Sequence, residues 1–325
     1  MTKRRDWTLT EKEKKVYENL KKQAERLLHF KKHHQSKRGT ARYRAGIYEF
    51  CKHLAIHYKS QNFRNISDKH LESFVIESVK AGISSAAIKT DLAAIRKLHS
   101  LVSNSRNMLT SDNSKFNLKK RRTRGVDRAW TSEEIARAKQ LAKEMDRVHI
   151  FWAITITEFL GTRIEEVTAL RRTQLKKAIN TESLRLVNTK GGIPRDIPLN
   201  NGARSIFQTI LATPSTTDTI FFGWHGWTHD QAMKSIQNWI ANHRTSFMEN
   251  VLTNDNPYQQ SFDIDEMRPR ITFHGLRHTF ARREYEKRIK QGLSFQTARL
   301  QTAALLGHGR DEVTTIYLGK KEDQS

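Results

Sequence analysis

Three short segments of this chain combine side chains that can hold a phosphate and attack it. Residues 274–278 read HGLRH and residues 306–308 read LGH, with a tyrosine nine positions after that last histidine. An earlier segment, residues 161–166, reads GTRIEE and supplies another arginine. The side chains that these segments contribute are Arg163, His274, Arg277, His308 and Tyr317.

Two arginines, two histidines and a tyrosine suit the cleavage of a phosphodiester. Attack by an oxygen nucleophile adds negative charge to the non-bridging oxygens, and guanidinium groups meet that charge with paired, permanently protonated donors. Arg163 and Arg277 can fill this role, and His308 can donate a further hydrogen bond to the same phosphate. Tyr317 must lose a proton before it attacks, because the pKa of a free tyrosine is about 10, and His274 is the candidate general base.

The order and spacing of these residues resemble the active site of the tyrosine recombinases, also called the phage-integrase family. The resemblance implies a reaction in which a DNA strand is cut to give a 3′-phosphotyrosyl ester and a free 5′ hydroxyl. Because the ester conserves the energy of the broken bond, the strand can be rejoined to a different one without ATP.

The resemblance also implies roles for three further residues. Lys190 lies in a Thr-Lys-Gly turn, where the family has a catalytic lysine, and would donate a proton to the departing 5′ oxygen. Glu166 follows the first arginine by three positions, as a supporting acidic residue does in the family, and His278 matches a supporting histidine. No metal ion or other cofactor is expected.

The charge of the chain is typical of a protein that binds polyanions. Its 58 Lys and Arg residues against 34 Asp and Glu residues give a net charge of +24. Residues 1–130 contain 31 basic and 12 acidic side chains, whereas residues 131–325 contain 27 and 22. The asymmetry indicates a front half that clamps DNA, although charge alone fits a ribosomal or generally basic protein equally well.

Helical patterns fill most of residues 11–102 and resemble the small helical core-binding domain of integrases. The last of these patterns has apolar residues at helical spacing, namely Ile88, Leu92, Ile95 and Val102. Lys89 and Arg96 lie off this stripe, and the overall charge favours DNA contact over a merely solvated face. We therefore predict that both bind DNA.

A basic linker is predicted to separate two domains. Residues 106–128 are rich in Asn, Ser and Lys and fit either a nuclear localisation signal or a strap that contacts DNA phosphates. A new helix is predicted after Thr131, whose spacing to Glu134 is that of a capping box. We therefore predict a helical core-binding domain over residues 1–105 and a catalytic domain over residues 129–325. The linker residues assigned to phosphate contacts are Lys119, Lys120, Arg121 and Arg122.

The expected fold class is mainly α with a small β-sheet, in which the helical core-binding domain precedes an α+β tyrosine-recombinase catalytic domain. The sheet is predicted from residues 184–199, where apolar residues flank a Thr-Lys-Gly-Gly turn typical of a hairpin. His225 and His229 have no partners at metal-ligand spacing and are expected on an exposed loop.

Cysteine content and hydropathy predict the compartment. Cys51 is the single cysteine, which excludes internal disulfides and, within an apolar helical pattern, favours a buried thiol in a reducing environment. No apolar run approaches the roughly 18 residues of a membrane span, and the polar start lacks the apolar stretch of a signal peptide. We expect a cytoplasmic, nucleoid-associated protein with no membrane partner.

These features together predict a site-specific DNA recombinase or integrase of a mobile genetic element. The expected partners are double-stranded DNA recombination sites, the other subunits of a homotetramer on DNA, and accessory DNA-bending proteins. Two alternatives remain, a type IB-like topoisomerase that relaxes DNA without exchanging strands, and a catalytically silent DNA-binding regulator. The eight residues after Tyr317 leave the manner of subunit assembly open.

Overall fold

A computed structural model of the protein describes residues 7–29, 37–119, 128–187, 189, 194–222, 226–248 and 271–307. The chain divides into two compact units, Met1–Arg122 and Thr123–Ser325. The described residues are mainly helical with one two-stranded sheet, which confirms the predicted fold class. In these ranges, no helix is both long and apolar enough to cross a membrane.

The first unit is a small helical bundle. Its helices in the described part are α1 (Glu11–His29), α2 (Lys37–His57), α3 (Asp68–Lys80) and α4 (Ser85–His99), followed by a 3-10 turn at Ser114–Phe116. Helix α2 packs against α1 and α4. Three residues of the predicted stripe, Ile88, Leu92 and Ile95, are buried in the core of the unit, whereas Val102 lies beyond the end of α4 at His99 and is half-buried. Cys51 is also buried there, and this burial raises the pKa of its thiol to about 12.

Residues 106–119, assigned to the linker, belong to the first unit. Phe116 is buried in the core of that unit, and the backbone N–H of Thr110 donates to the carboxylate of Asp68 at 2.9 Å. Burial of the aromatic ring removes apolar surface from water and so stabilises the position of this stretch. The predicted domain limits remain predictions, and residues 120–127 lie outside the described residues.

The second unit is built around one helix that is apolar on all sides. Helix α5 (Ser132–Glu144) begins at the predicted capping box, in which Thr131 and Glu134 bond each other's backbone N–H groups. Helix α6 (Val148–Leu160) packs against α5 and two later helices, α9 (Asn201–Ala212) and α11 (Phe273–Lys290). An all-round apolar helix must be covered on every face, so α6 is the centre of this unit.

Short elements connect this centre to the sheet. They are α7 (Ile164–Thr168), α8 (Arg172–Thr181), β1 (Ser183–Leu186) and β2 (Arg195–Pro198). The two strands pair antiparallel, with Leu184 opposite Ile197 and Leu186 opposite Arg195, and these four side chains are buried. The predicted hairpin is therefore present, although Lys190 in its turn lies outside the described residues.

Two further helices of the unit lie within the described residues, α10 (His229–Phe247) and α12 (Phe295–Leu306). Helix α10 packs against α7, and α12 packs against α11 and β2. The expectation for His229 was wrong: it is the first residue of α10, and its ring nitrogen lies 2.7 Å from Oγ1 of Thr168. The packing of α7 on α10 explains this half-buried position. His225 lies outside the described residues.

Candidate active site

A buried carboxylate lies at the centre of a group of arginines in the second unit. The side chain of Glu166 is only 1% exposed, and Nη1 of Arg163 donates to its Oε1 at 2.8 Å. Both terminal nitrogens of Arg195 donate to the same carboxylate, at 2.7 and 2.6 Å. Nη1 of Arg277 lies 3.9 Å from Oε2. We call Arg163, Arg195, Arg277 and Glu166 the arginine cluster.

The end of α6 determines where Arg163 lies. Gly161 ends that helix with a φ of 60°, and a Cβ atom there would lie 2.2 Å from Cδ1 of Phe280, so glycine is required on both counts. Arg163 then forms the N-cap of α7, and its backbone N–H donates to Oε2 of Glu166 at 2.7 Å. Glu166 thus holds both the backbone and the side chain of Arg163, whose side chain is 16% exposed.

Arg277, a residue of α11, connects the ends of two helices that are far apart in the sequence. Its side chain is fully buried, and Nη1 donates to the carbonyl oxygen of Gly161 at 2.6 Å. Its Nη2 donates to the carbonyl oxygen of Leu306, the last residue of α12. Arg277 therefore fixes the end of α6 and the end of α12, which is followed by Gly307 and then by His308.

The cluster carries excess positive charge. Burial alone raises the pKa of Glu166, but the hydrogen bonds and charge of Arg195, together with Arg163 and the charge of Arg277, bring it down to about 2. Glu166 is thus an anion at neutral pH, and three guanidiniums surround one carboxylate. The two charges left over make the cluster attractive to an anion such as a phosphodiester.

The two histidines of α11 lie one turn apart. Their ring centroids are 5.2 Å from each other and the rings meet edge to face. His278 is buried, whereas His274, in the first turn of the helix, is exposed. An exposed imidazole can exchange protons with a ligand, and the roles predicted for His274 and His278 stay predictions.

Comparisons with known proteins bear on both units. Residues 25–103 match the family model described as "Phage integrase, N-terminal SAM-like domain". Comparison with curated protein sequences gave no match. Solved structures match over nearly the whole chain, and among them is a lambda integrase(75-356) dimer bound to a COC' core site. Its TM-score is 0.62 at 15% identity, with 94% of this chain and 97% of that chain covered.

Two further solved structures have a similar fold. The Tn1549 transposon integrase in complex with transposon right end DNA has a TM-score of 0.60 at 13% identity, covering 93% of this chain and 95% of that one. XerH site-specific recombinase bound to difH substrate has a TM-score of 0.54 at 18% identity, covering 87% and 77%. The chain has the tyrosine recombinase fold. At these identities the likeness concerns the fold, so the roles of individual residues depend on the geometry of the site.

Within this tyrosine recombinase fold, the structure brings Arg163, Glu166 and Arg277 together and places His274 and His278 on the helix that carries Arg277. Several predicted residues lie outside the described ranges, and their roles stay predictions. These are Lys120, Arg121, Arg122, Lys190, His308 and Tyr317.

Lys89 and Arg96 of the first unit make contacts within the protein. Nζ of Lys89 donates to the carbonyl oxygen of Lys119 at 3.0 Å. Arg96 donates to Oδ1 of Asn113 at 2.9 Å, and its guanidinium lies 5.9 Å from the ring centroid of Phe116. Both side chains therefore hold the stretch before the basic run against α4, and their contact with DNA stays a prediction.

Arg195, which donates two side-chain hydrogen bonds to Glu166, was not among the residues predicted for the site. The sequence did contain a signal for its burial. Side chains of a strand alternate between its two faces, so Arg195 lies on the same face as Ile197, two positions later. Both residues are buried, whereas Asp196 between them is exposed. A charged residue on the inward face of a strand needs an oppositely charged partner.

Proposed function

We propose that the protein is a site-specific DNA recombinase of a mobile genetic element that cuts and rejoins strands through a 3′-phosphotyrosyl intermediate. The observation that carries the proposal is the arginine cluster, which concentrates positive charge around Glu166 within a tyrosine recombinase fold. The phage-integrase N-terminal domain at residues 25–103 supports a role on DNA.

In the proposed reaction Arg163 and Arg277 of the cluster hold the scissile phosphate. Oη of Tyr317 forms a bond to phosphorus as the bond to the 5′ oxygen breaks. The tyrosine proton passes to His274, directly or through a relay, and Lys190 gives a proton to the 5′ oxygen. Arg163 and Arg277, with His308, stabilise the charge that develops on the non-bridging oxygens. Rejoining is the same sequence of steps in reverse.

The proposed partners are double-stranded recombination sites and other copies of the chain in a homotetramer, with accessory DNA-bending proteins where a site must be bent. The integrase of the Tn1549 transposon bound to its right end, and the lambda integrase tetramer bound to a Holliday junction, support this assignment by fold. The proposed location is the cytoplasm, in association with the nucleoid.

A plasmid assay tests the proposal. One supercoiled plasmid carries two copies of the DNA that flanks the gene, and a matched plasmid lacks them. We expect recombined circles from the first plasmid and no reaction on the second. Relaxation of both plasmids without recombined products would instead identify a topoisomerase. Sequence-specific binding with neither reaction would identify a DNA-binding regulator.

A further inference from the structure

We propose that Arg195 is a positioning residue that holds Glu166, and through it Arg163 and Arg277, in the geometry that binds the scissile phosphate. The inference rests on the proposed function, because positioning matters only if the cluster receives a phosphate. It adds to the site a residue that contributes no contact to DNA.

The first contact of Arg195 is with the carboxylate of Glu166. Arg195 uses both terminal nitrogens on the two carboxylate oxygens, at 2.7 and 2.6 Å, which is the paired geometry that guanidinium and carboxylate favour. Its side chain is 6% exposed, against 16% for Arg163. Since both of its terminal nitrogens bond the carboxylate of Glu166, we assign Arg195 to that carboxylate and not to a DNA phosphate.

The second contact links Arg195 to the end of α12. Gly307 has a φ of 64°, and a Cβ atom there would lie 2.9 Å from Cδ of Arg195 and 3.1 Å from its Nη1. The backbone one residue before His308 therefore rests on the Arg195 side chain. On the other side, Leu306 accepts a hydrogen bond from Arg277. Arg195 thus touches both Glu166 and the turn that leads to His308.

The charge of Arg195 also keeps Glu166 ionised. In the part of the chain that the structure describes, the charged groups that face that carboxylate are Arg163 of the α7 cap, Arg195 of β2 and Arg277 of α11. Without Arg195, the carboxylate stays buried but loses two of its hydrogen bonds, so its pKa must rise. Protonated Glu166 is a weaker acceptor for both the backbone and the side chain of Arg163, and the cluster loosens.

A purely structural ion pair would stabilise the fold without affecting the reaction selectively. Three variants separate the two possibilities: Arg195→Gln, Arg195→Lys, and the double variant Arg195→Gln with Glu166→Gln. Arg185→Gln is the matched control, since Arg185 lies on the exposed face of the same hairpin, 58% exposed and paired with Asp196. The readouts are the single-turnover rate of covalent adduct formation on nicked substrate across roughly pH 5 to 8, the affinity for DNA, and the melting temperature.

We expect Arg195→Gln to form the adduct about 10- to 100-fold more slowly, as follows from a small misplacement of phosphate ligands. Its affinity for DNA should change by less than about threefold, because most of that affinity comes from many distributed phosphate contacts. Its rate should also fall more steeply than that of the wild type as the pH is lowered, and this additional fall should disappear in the double variant. Arg195→Lys should recover part of the rate, and Arg185→Gln should match the wild type.

If Arg195→Gln has the same rate and pH profile as Arg185→Gln, the inference is overturned while the proposed function stands. If Arg195→Gln does not fold, Arg195→Lys decides, because an unchanged adduct rate in that folded variant would equally overturn it. If the wild type forms no adduct, the proposed function fails and the inference fails with it.

Discussion

Replacing Glu166 by glutamine removes the central charge of the arginine cluster at almost constant shape. Four of the described hydrogen bonds end on its carboxylate, two from Arg163 and two from Arg195. The lowering of its pKa from 4.5 to about 2 corresponds to about 3 kcal/mol in favour of the charged form in the folded protein. Breaking a buried ion pair by removing one partner costs about 3–5 kcal/mol. We therefore expect Glu166→Gln to lower the free energy of unfolding of the second unit by about 3 kcal/mol or slightly more.

Urea unfolding at neutral pH, followed by tryptophan fluorescence, measures this change. Five of the six tryptophans, all except Trp7, lie within residues 123–325, so the signal reports mainly on the second unit. The matched control is Asp196→Asn, which breaks an exposed pair with Arg185 and should cost less than about 1 kcal/mol.

The pH dependence gives a second check. Because the pKa of Glu166 is lowered in the folded state, its contribution is complete above pH 4.5 and is lost as the pH falls towards about 2. The difference in the free energy of unfolding between the wild type and Glu166→Gln should therefore narrow over that pH window. A difference no larger than that caused by Asp196→Asn, or one that stays constant over the window, would refute this explanation of the cluster.

Three further outcomes are expected. Gly161→Ala should lower the free energy of unfolding by about 1–3 kcal/mol, measured by urea unfolding, because its φ is positive and its Cβ would collide with Phe280; an unchanged value would contradict this. Lys190→Ala should cleave normal DNA slowly but recover when sulfur replaces the scissile 5′ oxygen, and absence of rescue would make it an ordinary turn residue. Alanine at four linker positions should weaken binding to all DNA and reduce the slope of log affinity against log salt, and selective loss of site preference would contradict this. The four positions are Lys119, Lys120, Arg121 and Arg122.

Local patterns were sufficient to predict much of the fold. The capping box at Thr131 and the apolar stripe of α4 depend only on residues within one or two turns, and both are present. The hairpin followed from alternating apolar residues on either side of a turn, and its strands pair as expected. These signals are local because helix caps and strand alternation are set by the nearest neighbours in the chain.

The internal connections of the site could not be predicted in this way. Glu166 and Arg195 are 29 positions apart, and their contact exists because the sheet packs near the start of α7. The complete burial of Arg277 likewise depends on α6 and α12 ending on either side of it, at Gly161 and Leu306. For Arg96, the spacing within α4 placed it off the apolar stripe, but its partners Asn113 and Phe116 come from a later segment that folds back on α4.

The central claim is that Tyr317 becomes covalently attached to DNA, and one measurement tests it most directly. A substrate nicked beside the scissile phosphate prevents rejoining, so the adduct accumulates and denaturing electrophoresis detects it. Tyr317→Phe removes only the hydroxyl oxygen, so DNA binding should persist while the adduct disappears. Tyr285→Phe is the matched control, because Tyr285 lies in α11 with 3% of its surface exposed and should not reach DNA. We expect an adduct from the wild type and Tyr285→Phe but none from Tyr317→Phe, whereas an adduct of normal yield from Tyr317→Phe would contradict a nucleophilic role for Tyr317.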